Sequence, residues 1–244
     1  MLEDQNNTAL IGVESVTDFL STLIKEGTQE LVTIIRSDDA MDILESVKTF
    51  GSEVSSSIKI IKVIRKTASI PDKFFMRKIE RYCDGLVAIP VKKRKKYVEK
   101  VGKKALNKES VFILGVLNKI EELSKIDIFV KLFALKMDGV IDDSTYRRMM
   151  LQVERTMYSD ILFLKDNIHD GYLKVTSAEE ESLLAAGWMI FAGIGVGTLT
   201  EDGGNLYSYT QTAKRFCKIV FESDLNERGN TSSSEGVLTW VQTN

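Results

Sequence analysis

The sequence predicts a mostly α protein: a multi-helix bundle followed by a small C-terminal α+β cap. Three observations predict it. The 244 residues include only two prolines, Pro71 and Pro90, which leaves long stretches without a helix breaker. Apolar residues recur three and four apart over most of the chain, the spacing of one helix face. Strand-like, glycine-rich composition is confined to one stretch after Gly187.

Taken in order, residues 13–50 read as amphipathic helices around Val16, Phe19, Leu20, Leu23 and Ile24, then Leu31, Ile34 and Ile35, then Ile43, Leu44 and Val47. Asp38 and Asp39 fit a cap between two of them. The joint Gly51, Ser52, Ser55 to Ser57 closes an acidic helical N-terminal region, residues 1–57. The basic-to-neutral bundle core, residues 58–176, opens with IKIIKVIRKT, in which Ile58, Ile61 and Ile64 share a face surrounded by cations. Ser69 to Asp72 reads as a break and restart, leading to a helix through Phe74, Phe75, Ile79 and Tyr82. Pro90 starts the next helix, KKRKKYVEKVGKK, at its first turn. From Glu109 to Ile168 the stripes are Phe112, Ile113, Val116, Leu117 and Ile120; Ile128, Phe129, Leu132, Phe133 and Leu135; Tyr146, Met149, Met150, Val153 and Met157; and Ile161, Leu162 and Leu164.

The cap, residues 177–222, starts at Ser177 with Glu179 to Glu181 behind it, and Gly187 fits the end of that helix. WMIFAGIGVGTLT, a turn at 201–205 and LYSYT read as a hairpin, and Thr210 to Phe221 as a closing helix. The order is winged-helix-like. A DNA-reading helix in that position, however, would begin Ser177-Ala178-Glu179-Glu180-Glu181, which repels phosphate, so the module reads as a structural or protein-binding cap. Residues 223–244 are polar and read as a disordered tail, with VLTWVQTN open to either a strand or continued disorder.

Charge is the most telling functional feature. Residues 1–57 carry 3 Lys/Arg against 11 Asp/Glu, net −8, and residues 58–104 carry 16 against 4, net +12. Residues 105–178 (10 against 11) and 179–244 (4 against 9) are at −1 and −5. A +12 block is a local field that calls for an anionic counterpart: phosphate, lipid headgroup, an acidic protein or the chain's own acidic front end. The candidate anion- or partner-binding residues are Lys59, Lys62, Arg65, Lys66, Arg77, Lys78, Arg81, Lys92, Lys93, Arg94, Lys95, Lys96 and Lys100. Lysine dominates, and arginine forks able to read base edges are few, so a diffuse anionic contact is favoured over sequence-specific recognition.

The run SIPDKFFMRKIERY, residues 69–82, resembles a group of bacterial helical proteins with a similar SI-x-D-x-x-F-x-x-K segment. KLFALKMDGVIDDSTYRRMM is similar to the helix–DG–helix junction of the TerB-like helical fold, with Asp138, Gly139 and Ile141 at the matching places. Thr145 stands where that pattern usually has a glutamate, so no shared acidic or metal-linked site is carried over. The likeness spans residues 58–170. It implies fold, together with a bacterial stress or phage-defence setting.

Several chemistries lack their residues. Gly193, Gly195 and Gly197 do not follow the order of a phosphate-binding loop. Asp138, Asp142 and Asp143 lack the spacing and terminal glutamate of a calcium loop and fit a turn with a helix cap. His169 is the only histidine, so no histidine-rich metal site and no two-histidine mechanism are available. Cys83 and Cys217 are too few for a disulfide framework, which indicates a reducing compartment, and the acidic, polar amino terminus does not fit a signal peptide. The expectation is a cytoplasmic, non-enzymatic interaction or regulatory protein without cofactor or metal, working through its basic face on a protein partner or in a homo-oligomer. The alternatives are a nucleic-acid or anionic membrane-surface binder acting by charge, and an enzyme with an unrecognised carboxylate site.

Overall fold

The computed structural model describes residues 70–195 and 204–222, together with Ile24. The front-end helices, the basic segment 58–67, the tip of the hairpin and the tail lie outside the described residues. Within them the chain is mostly helical, with eight α-helices and one two-stranded antiparallel sheet near the C-terminus. It divides into two compact units between Glu154 and Arg155.

In the first unit, α1 (Ile70–Ala88) takes Pro71 in its first turn, where a missing N–H costs nothing. It buries Ile79, Tyr82, Cys83 and Leu86. Gly85 lets it approach Val130 closely, since a Cβ there would lie 2.5 Å from a Val130 methyl. Pro90 precedes α2 (Val91–Val101), which buries Arg94 and Tyr97. The run read from sequence as one helix is two. Gly102 at φ 77° closes α2 by donating to the Val98 carbonyl, and α3 (Lys103–Lys119) starts immediately after it. The Ile113, Val116, Leu117 and Ile120 stripe of α3 is buried, as are Ile128, Phe129, Leu132 and Phe133 of α4 (Lys125–Met137). Asp138 and Gly139, the latter at φ 73°, make the turn into α5 (Asp143–Arg155). Asp142 caps that helix, its Oδ1 accepting from Thr145 N at 2.7 Å, and Tyr146, Met149, Met150 and Val153 face the core.

In the second unit, α6 (Tyr158–Asn167) buries Ile161 and Leu164 and packs on α7 (Ala178–Ala185). Helix α7 opens with a full capping box between Ser177 and Glu180. Glu180 lies below the usual carboxylate range. Burial alone would raise it, but hydrogen bonds from Thr176 and Ser177 to the ionised form outweigh that. Strands β1 (Met189–Gly195) and β2 (Gly204–Tyr209) pair in antiparallel fashion, with a register break between Phe191 and Gly193. Leu173 bridges to Tyr207 on the outer edge of β2. Thr210 caps α8 (Gln211–Cys217), which continues into a π-turn over Lys218–Glu222. Trp188 is fully buried, tilted against Phe216 at 4.7 Å, and donates from Nε1 to Thr156 Oγ1 at 2.8 Å. Met157, expected in the α5 stripe, is 62% exposed at the N-cap of α6.

Candidate anion-binding site

Helix α2 sorts the sequence-predicted cations by their position around its axis. One face carries Arg94 and Tyr97, three apart, and anchors the helix. Arg94 is fully buried and donates from Nε to the Ile89 carbonyl at 2.9 Å, while burial lowers its affinity for the proton. Tyr97 packs edge-on against Phe133 at 5.5 Å. On the remaining surface Lys92, Lys95, Lys96 and Lys100 are exposed, with Glu99 the one acid of the helix. Among the described residues, Lys92, Lys95 and Lys96 form no ion pair. Lys93 is half-buried and pairs with Asp138.

The candidates on α1 divide in the same way. Arg77 is exposed. Lys78 is buried, donates to the Asn118 carbonyl at 3.1 Å and lies 4.8 Å from the centre of the Phe74 ring. Its proton affinity is lowered by burial, with Glu121 opposing. Arg81 is exposed but spends its fork on Asp127, with bonds of 2.9 and 2.6 Å. Lys59, Lys62, Arg65 and Lys66 lie outside the described residues.

Beside the C-terminal end of α2 is a half-open cavity of about 560 Å³. Its wall runs from Tyr97 and Lys100 on α2, across Lys108 on α3, to Met137, Ile141 and Arg147. Four charged side chains form a network on that wall. The Glu109 side chain is only 4% exposed, and its Oε2 receives Lys136 Nζ and lies 3.6 Å from Arg147. Lys136, 9% exposed, also reaches Asp143, which accepts from Arg147 Nε at 2.9 Å. Both cations lie over aromatic rings, Lys136 at 4.5 Å from Tyr146 and Arg147 at 4.4 Å from Phe112. Burial alone would raise the Asp143 carboxyl, but hydrogen bonds from Lys136 and Arg147 hold it below the usual range. Burial works to lower Arg147, whereas Asp143 and Glu109 raise it.

Buried polar atoms lie close behind this wall. Glu109 Oε1 and the hydroxyls of Tyr82 and Tyr146 are buried with no partner at normal hydrogen-bonding length, although the two hydroxyls influence one another. Burial and then the nearby charged groups hold Tyr82, Tyr97 and Tyr146 protonated well beyond neutral pH. The two thiols are equally quiet, with Cys83 pushed up by burial and Cys217 pushed up to about 12.

Of these four, only Asp143 was singled out from the sequence, as part of a turn and helix cap; Glu109, Lys136 and Arg147 were not. One signal was present: Glu109 occupies the buried side of α3 with Leu106 and Ile113, and Lys136 follows Phe129, Leu132 and Phe133 on α4. A charge in a core position implies a partner. Among the described residues no group of three or more His, Cys, Asp or Glu is placed to hold a metal ion, and no helix is long and apolar enough to cross a membrane. Comparison with protein-family models, with curated proteins and with solved structures gives no match.

Proposed function

We propose that this chain is a non-enzymatic interaction or regulatory protein of the cytoplasm that takes an acidic protein partner on the outer face of α2. The observation that carries the reading is the anchoring of α2 by Arg94 and Tyr97, which leaves Lys92, Lys95 and Lys96 exposed and without a carboxylate partner among the described residues. Eleven residues give a basic edge of about 16 Å, the scale of an acidic helix or loop on a second protein. Base-specific reading is not supported on this face, because Arg94 is turned inward and Arg81 is occupied by Asp127. The resemblance to TerB-like proteins adds a bacterial stress or phage-defence setting to the proposal.

The test compares three anionic probes at graded salt: a polyglutamate peptide, duplex DNA and phosphatidylserine vesicles. The wild-type chain is expected to bind polyglutamate with an affinity that falls steeply with salt. Exchange of Lys92, Lys95 and Lys96 for Gln is expected to remove that binding and leave the helical circular dichroism unchanged. Preference for DNA or vesicles, lost in the same variant, would reassign the face to nucleic acid or lipid. Binding to no probe would overturn the assignment of an external anionic partner.

A further inference from the structure

We propose that the cavity at the end of α2 is a binding site for a small organic anion, with a phosphate or carboxylate group held by Lys100, Lys108 and Arg147. This inference does not rest on the partner-binding reading, which concerns Lys92, Lys95 and Lys96.

Size is the first support. About 560 Å³ lies within the range of sites that enclose small ligands and exceeds what an isolated packing defect leaves. Composition is the second. The wall joins apolar groups, Val101, Met137 and Ile141, to a few convergent charged ones, which suits a molecule with an apolar body and a charged end.

Charge is the third support, and its balance favours an anion. Each carboxylate on the wall engages a donor through at least one oxygen, with Glu109 Oε1 left without one. Asp142 caps α5 through Thr145 N, Asp143 accepts from Lys136 and Arg147, and Glu109 Oε2 receives Lys136. Lys100 and Lys108 are exposed, line the cavity and make no ion pair among the described residues. Arg147 is held in place by Asp143 on one side and the Phe112 ring on the other, with guanidinium donors to spare. Over the whole wall four cations, Lys100, Lys108, Lys136 and Arg147, stand against three carboxylates, Glu109, Asp142 and Asp143, a net of +1.

The fourth support is the expense of the wall itself. Charges removed from water are repaid only when every lone pair is satisfied, and apolar replacements of such networks are often as stable. Here Glu109 Oε1 is buried without a partner, a cost to folding. A wall of this kind has a use other than stability. Fixing Arg147 at the cavity is such a use: the guanidinium is pre-oriented, so an incoming anion orders no further side chain there.

The test is a titration of the isotopically labelled full chain, followed by amide NMR shifts, with inorganic phosphate in one arm and succinate in the other. The two arms separate a phosphate site from a carboxylate site. Saturable shifts are expected in 97–109 and 136–147, with affinity reduced at least tenfold in Lys108→Gln. Lys108 is exposed, so that variant keeps the fold, and Arg147→Lys is a second probe that retains charge but loses the fork. The Lys92, Lys95 and Lys96 to Gln variant is expected to bind either anion as the wild type does. Shifts that follow those three lysines and ignore Lys108 would overturn the proposal, as would the absence of saturable shifts with both anions.

Discussion

The two cationic regions of the first unit handle their charge in opposite ways. On the outer face of α2, Lys92, Lys95 and Lys96 stand in solvent, unpaired among the described residues. Around the cavity, Lys136 and Arg147 are drawn into a shared network with Glu109 and Asp143, with Lys136 almost wholly desolvated. Arg94 shows a third arrangement: a cation fully inside the fold that donates from Nε to a backbone carbonyl. A count of lysines and arginines does not distinguish these uses. Exposure and partner do: the lysines on the outer face of α2 stand in solvent, whereas Lys136 and Arg147 are tied to carboxylates of the fold.

The contrast is broken most severely at Glu109. Glu109→Ala takes a buried partner from Lys136 and a nearby charge from Arg147, and is expected to cost about 3 kcal/mol of stability in urea unfolding followed by circular dichroism. Arg94→Ala comes next. It opens a gap under α2 and leaves the Ile89 carbonyl without its donor, for a loss of about 2–3 kcal/mol in the same assay. If Arg94→Ala melted like the wild type, the inward anchoring of α2 would be wrong.

Acid titration sharpens the comparison with a smaller effect. Asp143 is depressed in the folded chain, so its contribution is present above the usual carboxylate value of 3.8 and is lost as pH falls through the lower folded value. The Asp143 side chain is more than half exposed, which keeps the contribution small. Thermal melts of wild type and Asp143→Asn are expected to converge as the pH falls below 3.8 and to separate above it. The smallest effect on stability belongs to the outer face. Each of Lys92→Gln, Lys95→Gln and Lys96→Gln is expected to change stability by less than about 0.5 kcal/mol.

Much of the helical framework was legible because apolar spacing is a local property. The stripes of α3, α4 and α5, the proline start of α2, the Ser177 cap and the hairpin after Gly187 all depend on residues within a few positions of each other. Gly102 was less visible, since a single glycine in a basic run reads as a tolerated helix position until its φ of 77° is known. The division of the +12 block was hidden for a different reason. Within Lys92 to Lys96 all five residues are cationic, and only the three-residue step from Arg94 to Tyr97 marks which one turns inward. The cavity network was the least legible part. Lys136 meets Glu109 across 27 positions of sequence, and nothing local joins them.

The most direct measurement reads stability and anion binding together in one variant. Lys92, Lys95 and Lys96 are exchanged for Gln, and the full chain is compared with wild type by thermal melting and by the salt needed to elute it from a heparin column. An unchanged melting temperature with elution at clearly lower salt is expected. Unchanged elution, with or without a fall in melting temperature, would contradict it and would mean that the outer face of α2 is not where this chain meets anions.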